Sequence, residues 1–274
     1  MTRSILNMAM AGAIVWCAAA PGHLAAQTGT AKAAAPAPTP RTPDGHPDLS
    51  GVWWRGADVG GRGFNAGGGG RGAGGRGAAP QTFAGLYTPA AAAHAKTLSD
   101  KDDPALACVP TAFGTLNVSL FDVGAVGQIV QTPKFVIMLT ETYHGFQIIP
   151  TDGRPHRDEV PPSYRGDAIG HWEGDTLVVD KTNFTDNTWL SAEGRVSYHS
   201  DALHMIERYT RVNANTLEIE ATLEDPNVLT KPWVVPKQTL VLAPFDQILD
   251  LICTGGDTKE LIDAAAAQGK SQQK

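Results

Sequence analysis

The stretch NTLEIEATLE, residues 215–224, decides the fold class, because its side chains alternate between apolar and polar. The apolar positions are Leu217, Ile219, Ala221 and Leu223. A period of two residues is that of a β-strand, whose successive side chains point to opposite faces. One face of this strand is therefore expected to be buried and the other wet, as is common in antiparallel sheets.

Six further segments are apolar, short and bounded by Gly, Pro, Asn or Asp, which is typical of strands. They are residues 135–141, 146–151, 175–184, 202–212, 238–243 and 247–253. No long helical period separates them, which excludes a parallel sheet, whose crossovers need a dozen residues or more. About eight strands joined by turns commonly close into a barrel that hides their edges. We predict an all-β fold, an antiparallel meander closing into a lipocalin-like β-barrel, in preference to a two-sheet sandwich.

The first 26 residues have the composition of an export signal peptide. Arg3 precedes an apolar run that is too short for a stable membrane span, and Ala25 and Ala26 offer a cleavage point. The signal predicts a periplasmic or secreted bacterial protein.

The rest of the chain divides by composition. Residues 27–44 are rich in Ala, Pro and Thr, which predicts a disordered linker. The barrel domain is expected over 45–255, followed by a C-terminal tail at 256–274. Within the domain, residues 60–79 are mostly Gly, Arg and Ala, so this segment is expected to be a flexible insertion without chemistry.

The charge balance limits the partners. The chain has 22 basic and 28 acidic residues, a formal net charge of -6. An acidic protein is a poor partner for nucleic acid, which favours a basic face, or for an anionic membrane surface. No phosphate loop, nucleophile elbow or HExxH zinc motif occurs. We expect a small-molecule ligand or substrate and no cofactor.

Two cysteines, Cys108 and Cys253, remain once the signal peptide with Cys17 is removed. Two thiols in an oxidising compartment usually pair, which predicts a disulfide between the start and the end of the folded region. Closing so long a loop is worth about 4–5 kcal/mol in the chain-entropy model. The alternative is two unrelated buried thiols.

HSDALHMIER, residues 199–208, holds the leading catalytic candidate. On a strand, Met205 and Tyr209 share the apolar side, so Glu207 between them is expected to point into the barrel. Burial raises the pKa of a carboxyl group towards the range useful for proton transfer. The alternative is a structural ion pair with an arginine such as Arg154.

Two histidines, His199 and His204, precede this candidate in the chain. His199 and Asp201 are expected to share a side at the barrel mouth, where a histidine held by a carboxylate is a common proton-transfer unit; the alternative is turn chemistry. His199 and His204 are five residues apart, which places them on different faces of a helix or a strand. A metal site would therefore need histidines from separate loops, among His156, His199 and His204.

Other residues are candidates for ligand binding. Arg154 and His156 both lie in the turn TDGRPH, where Arg154 is suited to bind an anion with two hydrogen bonds. Trp189 and Trp233 fall in loop-like segments, and such rings at a barrel mouth would suit a planar or sugar ligand. Ordinary loop packing is the alternative. Tyr209 completes the predicted binding set.

Several motifs together resemble a widespread, largely uncharacterised family of exported bacterial proteins. They are PDLSGVW at 47–53, DGRPH at 152–156, GHWEGDTLVVD at 170–180 and HSDALHMIERY at 199–209. The resemblance covers residues 45–254, and it implies membership of the family without implying an activity.

Three functions fit these residues. The first is a barrel enzyme, a lyase, isomerase, hydratase or cyclase, that acts on a small, partly apolar or aromatic molecule by cofactor-free acid/base chemistry. Its catalytic residues would be Glu207, His199 and Asp201. The second is a non-catalytic carrier for a hydrophobic ligand. The third is a metal-dependent enzyme that uses the loop histidines.

Overall fold

In the part of the chain that the structure describes, nine antiparallel strands form a nearly closed barrel, which confirms the predicted fold class. The computed structural model describes residues 37–56, 83–113, 126–141, 143, 145–190 and 196–250. The strands are β1 Gly51–Trp54, β2 Val126–Gln131, β3 Phe135–Thr140, β4 Phe146–Pro150, β5 Asp167–Glu173, β6 Thr176–Thr182, β7 His204–Asn213, β8 Thr216–Glu224 and β9 Trp233–Leu242. Their order is β4-β3-β2-β1-β9-β8-β7-β6-β5.

The barrel has one seam, between β4 and β5. Every other pair of neighbouring strands is joined by backbone hydrogen bonds, including β1 with β9. At the seam β4 lies beside β5, and the Gln147 side-chain amide donates a 3.0 Å hydrogen bond to the carbonyl of Arg165. The end of the connection from β4 to β5, residues 151–166, therefore contacts β4 at this junction.

The alternation of apolar and polar residues that predicted the barrel matches an alternation of buried and more exposed side chains in the structure. Side chains of β8 alternate between buried and more exposed along its whole length, and those of β7 do so from His204 to Arg211. Some inward side chains of both strands, among them Tyr209, Leu217 and Ile219, join a core that fills the barrel interior away from its covered end. Its other members include Trp53, Met138, Ile149, Leu177 and Leu240.

A cover of non-strand segments closes the other end of the barrel. We call residues 83–113, 184–190 and 196–203 the cover. It contains α1, Pro89–Ala95, and three 3₁₀ helices, Phe83–Leu86, Asp100–Asp102 and Pro104–Ala107. Phe83, Leu190 and other cover residues pack on Met205 and Trp233 of the barrel. Backbone N–H groups of Ala112 and Phe113 donate to the carbonyls of Trp189 and Leu190, which ties the segments together.

Some sequence-based expectations about the strands are wrong. β1, β2 and β5 lie outside the segments that were predicted as strands. The strand predicted at 247–253 is absent over 247–250. That part of the chain instead crosses the outside of the wall, where Phe245 packs edge-on against Trp54 and the N–H of Leu249 donates to the Glu141 carboxylate.

The ends of the domain also differ from the sequence prediction. Residues 37–44, placed in the disordered linker, contact the barrel, because Arg41 forms a two-bond ion pair with Asp175. The predicted signal peptide, the whole of the 60–79 insertion and the 256–274 tail lie outside the described residues. Within the described ranges, no helix combines the length and apolar character needed to cross a membrane.

The predicted disulfide stays a prediction. Cys108 follows the 3₁₀ helix Pro104–Ala107 in a left-handed conformation, with φ of 62°. Cys253 lies outside the described residues.

Candidate functional site

A charged cluster lies inside the barrel beneath the cover. The Nζ atom of Lys181 is 2.6 Å from Oε2 of Glu207, and the two side chains are 0% and 1% exposed. The hydroxyl of Tyr209 donates a 2.7 Å hydrogen bond to the same carboxylate oxygen. We call Lys181, Glu207, Tyr209 and the nearby Arg165 the inner polar cluster.

Strand register explains the position of this cluster. Lys181 of β6 lies opposite Met205 of β7, which contacts the cover. Glu207 lies one inward position deeper, opposite Val179. Because inward side chains recur every second residue, the alternation that buries Leu177 and Val179 also carries Lys181 inward. The ion pair therefore follows from two neighbouring strands in register.

The ion pair is almost completely buried from solvent. Burial lowers the pKa of the Lys181 ammonium, while the facing Glu207 carboxylate acts to raise it. Desolvating two charges costs several kcal/mol per ion, and their attraction repays this only with good geometry and further hydrogen bonds. The Tyr209 hydroxyl supplies one such bond. Glu207 is thus held as part of an ion pair.

Arg165 reaches the cluster from the end of the 151–166 connection. Its Nη2 atom donates a 3.2 Å hydrogen bond to the Thr140 hydroxyl. Its Nε and Nη1 atoms are buried and have no hydrogen-bond partner among the described residues. Burial lowers the pKa of the guanidinium to about 10, while the charge of Glu207 acts to raise it. Arg165 was not among the residues predicted from the sequence.

The predicted position of Glu207 is correct, but its predicted partner is wrong. The alternative reading paired Glu207 with Arg154, whereas the structure pairs it with Lys181. Arg154 lies on the surface, where it makes two hydrogen bonds to Asp152 and stands over the Phe135 ring. A turn of two residues brings Asp152 within reach of Arg154, so this guanidinium is satisfied locally.

His199 and Asp201 do not share a side as predicted. His199 is buried, with its Nδ1–H donating to the Ser200 carbonyl at 2.9 Å and its ring edge-on to Phe184. Asp201 is exposed. Ser200 is instead held by Asp225, which accepts from its backbone N–H and its hydroxyl. The structure therefore does not assemble the predicted dyad.

Because His199 is buried, we expect the protein to be less stable at acid pH. Burial lowers the pKa of its imidazole, so the folded state keeps the ring neutral while the unfolded chain protonates near pH ~6.5. The unfolded state then binds more protons, and the free energy of unfolding falls as the pH drops below about 6.5, by up to about 1.4 kcal/mol per pH unit. Urea unfolding at several pH values measures this dependence.

The control variants separate this histidine from the other titrating groups. Asn at position 199 keeps a donor for the Ser200 carbonyl without titrating, so His199→Asn should flatten the pH dependence. His171→Asn on the exposed side of β5 should leave it unchanged. Equal slopes in the His199 variant and the wild type would show that the imidazole is not held neutral.

A second polar cluster lies on the outer side of β5 to β8. The Nδ1 atom of His156 is 3.0 Å from Asp167, and its Nε2 atom is 3.3 Å from Oδ1 of Asp180. The Nε2 atom of His204 is 2.8 Å from the same Asp180 oxygen. Arg157 also binds Asp167, at 2.6 Å. These contacts anchor the 151–166 connection to the wall.

The outer cluster includes two of the histidines proposed for a metal site, and His199 lies elsewhere. Among the side chains that the structure describes, no group of three or more His, Cys, Asp or Glu is placed to hold a metal ion. His156 and His204 use their Nε2 atoms to contact Asp180. Asp180 was not among the site residues predicted from the sequence. Its position in β6 has the opposite parity to Lys181, which indicates that its side chain points outward.

Neither predicted mouth tryptophan is open to solvent. Trp189 and Trp233 are each 4% exposed. Trp233 begins β9 and packs edge-on against Phe83 of the cover. The loop-like sequence TKPWVV misled the prediction, because Pro232 precedes the strand and Pro236 occurs within it.

A shallow groove with a volume of about 760 Å³ lies on the outer face of β7, β8 and β9. Its lining combines apolar and charged side chains, including Leu86, Arg208, Glu220, Lys231, Pro232, Val234 and Lys237. Arg208 is ion-paired with Glu173, and Lys237 with Glu218 and Glu220. The groove is therefore distinct from the inner polar cluster.

Comparison of the chain with models of protein families, with curated proteins and with solved structures found no match. The resemblance described from the sequence motifs stays a prediction.

Proposed function

We propose that the protein is an exported binding protein that carries a small organic molecule in the covered end of its barrel. The observation that supports this proposal is the Lys181–Glu207 ion pair, buried beneath the cover. A buried ion pair is often no more stabilising than apolar residues of similar volume. Its place at the covered end of the interior favours a role in holding a polar part of a ligand.

The contacts that Glu207, the candidate acid, already makes favour binding over catalysis. Glu207 already accepts a hydrogen bond from the Tyr209 hydroxyl and faces the ammonium of Lys181. A carboxylate that already contacts two side chains of the protein has fewer lone pairs left for contact with a substrate. The cover consists of loops and short helices outside the sheet, so we expect the ligand to enter past it, where no strand pairing has to break.

Native mass spectrometry of the purified full chain tests the proposal. We expect a population that carries a noncovalent small-molecule adduct, which denaturing conditions release and which can be identified by its mass. A chain that has only its own mass, and that is not stabilised against heat by any member of a panel of small organic acids, amides and alcohols, would contradict the proposal.

Acid/base catalysis at the inner polar cluster is the second candidate function. It is favoured by the Tyr209–Glu207–Lys181 contacts, which join a hydroxyl, a carboxylate and an amine of lowered pKa. Such a chain of groups can relay a proton to a bound substrate. The class of reaction would be a lyase, isomerase, hydratase or cyclase.

For this candidate, Glu207→Gln is expected to lower turnover at least about 100-fold, because it removes the ionisable group and preserves shape. The measurement is turnover of the compound identified by mass spectrometry. Glu173→Gln, at an exposed surface carboxylate, is the matched control. Unchanged turnover in folded Glu207→Gln would exclude the acid/base role and leave the binding function standing.

A further inference from the structure

We propose that the ligand of the barrel is a small organic anion, a carboxylate or a phenolate, whose charged end is held by Arg165. The inference rests on the proposed binding function and names the chemical class of its ligand. It assigns the anion clamp to Arg165 in place of Arg154.

The first support is an incomplete set of hydrogen bonds. A guanidinium has five N–H donors, and buried donors in proteins are nearly always satisfied. In Arg165 the Nη2 atom donates to Thr140, while the buried Nε and Nη1 atoms have no partner among the described residues. Each of the two edges with which a guanidinium binds a carboxylate therefore includes a nitrogen that can still donate.

The second support is the charge balance within the inner polar cluster. The inner polar cluster holds two cationic side chains, Arg165 and Lys181, and one carboxylate, Glu207, which is in contact with Lys181. Even with its pKa lowered by burial to about 10, Arg165 remains charged at neutral pH. An anion placed against Arg165 would balance the desolvated charge.

The third support is the way in which the chain makes room for the guanidinium. A Cβ atom on Gly145 would lie only 2.6 Å from the Thr140 hydroxyl and would overlap the Arg165 guanidinium. Glycine at the end of the β3–β4 hairpin thus allows the guanidinium to lie directly against the backbone. We assign Gly145 as a positioning residue for Arg165.

Arg154, the anion clamp predicted from the sequence, lacks these features. It is exposed, and both arms of its guanidinium already bind the Asp152 carboxylate at 2.8 and 2.6 Å. A ligand at Arg154 would have to compete with this local carboxylate. It therefore serves as the matched control for Arg165.

Isothermal titration calorimetry with matched pairs of probes tests the inference. The pairs are benzoate with benzamide, 4-hydroxybenzoate with 4-hydroxybenzamide, phenylacetate with phenylacetamide, and hexanoate with hexanamide. The wild-type chain, in a buffer without carboxylates, is expected to bind at least one acid about tenfold or more tightly than its amide, because the guanidinium forms an ion pair only with the anion.

Variants test which side chain causes the preference for the acid over the amide. Arg165→Met should abolish it, and Arg165→Lys should weaken it, because an ammonium keeps the charge but loses the planar fork. Arg165→Lys keeps the inference testable if the methionine variant does not fold. Gly145→Ala should also weaken the preference by displacing the guanidinium. Arg154→Lys should leave it unchanged.

The outcomes separate this inference from the proposed function. Equal binding of acid and amide would overturn the anion assignment and leave a binding barrel. A preference for acids that persists in Arg165→Met and Arg165→Lys would place the anion elsewhere and overturn the inference. Absence of binding by every probe, with no adduct in native mass spectrometry, would overturn both.

Discussion

Replacing Lys181 with methionine is expected to lower the free energy of unfolding by about 3–5 kcal/mol. Methionine fills similar volume but leaves Glu207 without the ammonium that lies 2.6 Å from its carboxylate. A buried charge that loses its closest partner carries much of the cost of desolvation, which the hydrogen bond from Tyr209 and the charge of Arg165 offset only in part. Urea unfolding at pH 7, followed by tryptophan fluorescence, measures the loss.

Two further variants identify the cause of that loss. Lys181→Met combined with Glu207→Gln should recover at least half of the stability, because the uncompensated charge is gone. Lys237→Met breaks an exposed ion pair with Glu218 and should change stability little, since surface pairs contribute little. A Lys181→Met chain as stable as the wild type would show that the two charges are not buried together.

Replacing Trp233 with alanine is expected to cost about 3–5 kcal/mol, as is usual for a buried tryptophan in a core. Its ring packs on Phe83 and joins the barrel to the cover. Removing it opens a cavity between strand β9 and the 3₁₀ helix Phe83–Leu86. Thermal unfolding and urea unfolding both measure this effect.

The neighbouring valine provides the control. Val234 is 71% exposed on the opposite face of β9, so Val234→Ala should have little effect on stability. If Trp233→Ala unfolded like the wild type but lost affinity for the bound molecule, the ring would be a ligand contact, as the sequence predicted, and the packing account would be wrong.

The fold and the direction of Glu207 could be predicted because both depend on a local period. Strict alternation in residues 215–224 fixes which face of β8 is buried. The same rule, applied to Met205 and Tyr209, sends Glu207 into the barrel, where it is 1% exposed. Alternation depends only on backbone geometry, so it can be read without knowing the neighbouring strands.

The partner of Glu207 could not be predicted with the same ease, because it depends on register between strands. Lys181 has the inward parity of Leu177 and Val179, and this was the available signal. Reading it requires β6 to be placed next to β7, with Val179 opposite Glu207. A nearby arginine was the more obvious candidate, although Arg154 is satisfied by Asp152.

The cover was beyond sequence reasoning for a different reason. Its segments have no regular period, and they are ordered by contacts between distant parts of the chain, such as the N–H of Ala112 with the carbonyl of Trp189. Loop-like sequence therefore predicted exposed rings where Trp189 and Trp233 are buried. The same segments bury His199, which was expected at an open mouth.

A crystal structure of the full chain with the carboxylate that calorimetry selects would test the central claim most directly. The account predicts the ligand inside the barrel beneath the cover, with a carboxylate oxygen about 2.7–2.9 Å from Nε or Nη1 of Arg165. A ligand bound in the outer groove beside Lys231 and Pro232, with the inner polar cluster unchanged, would contradict it.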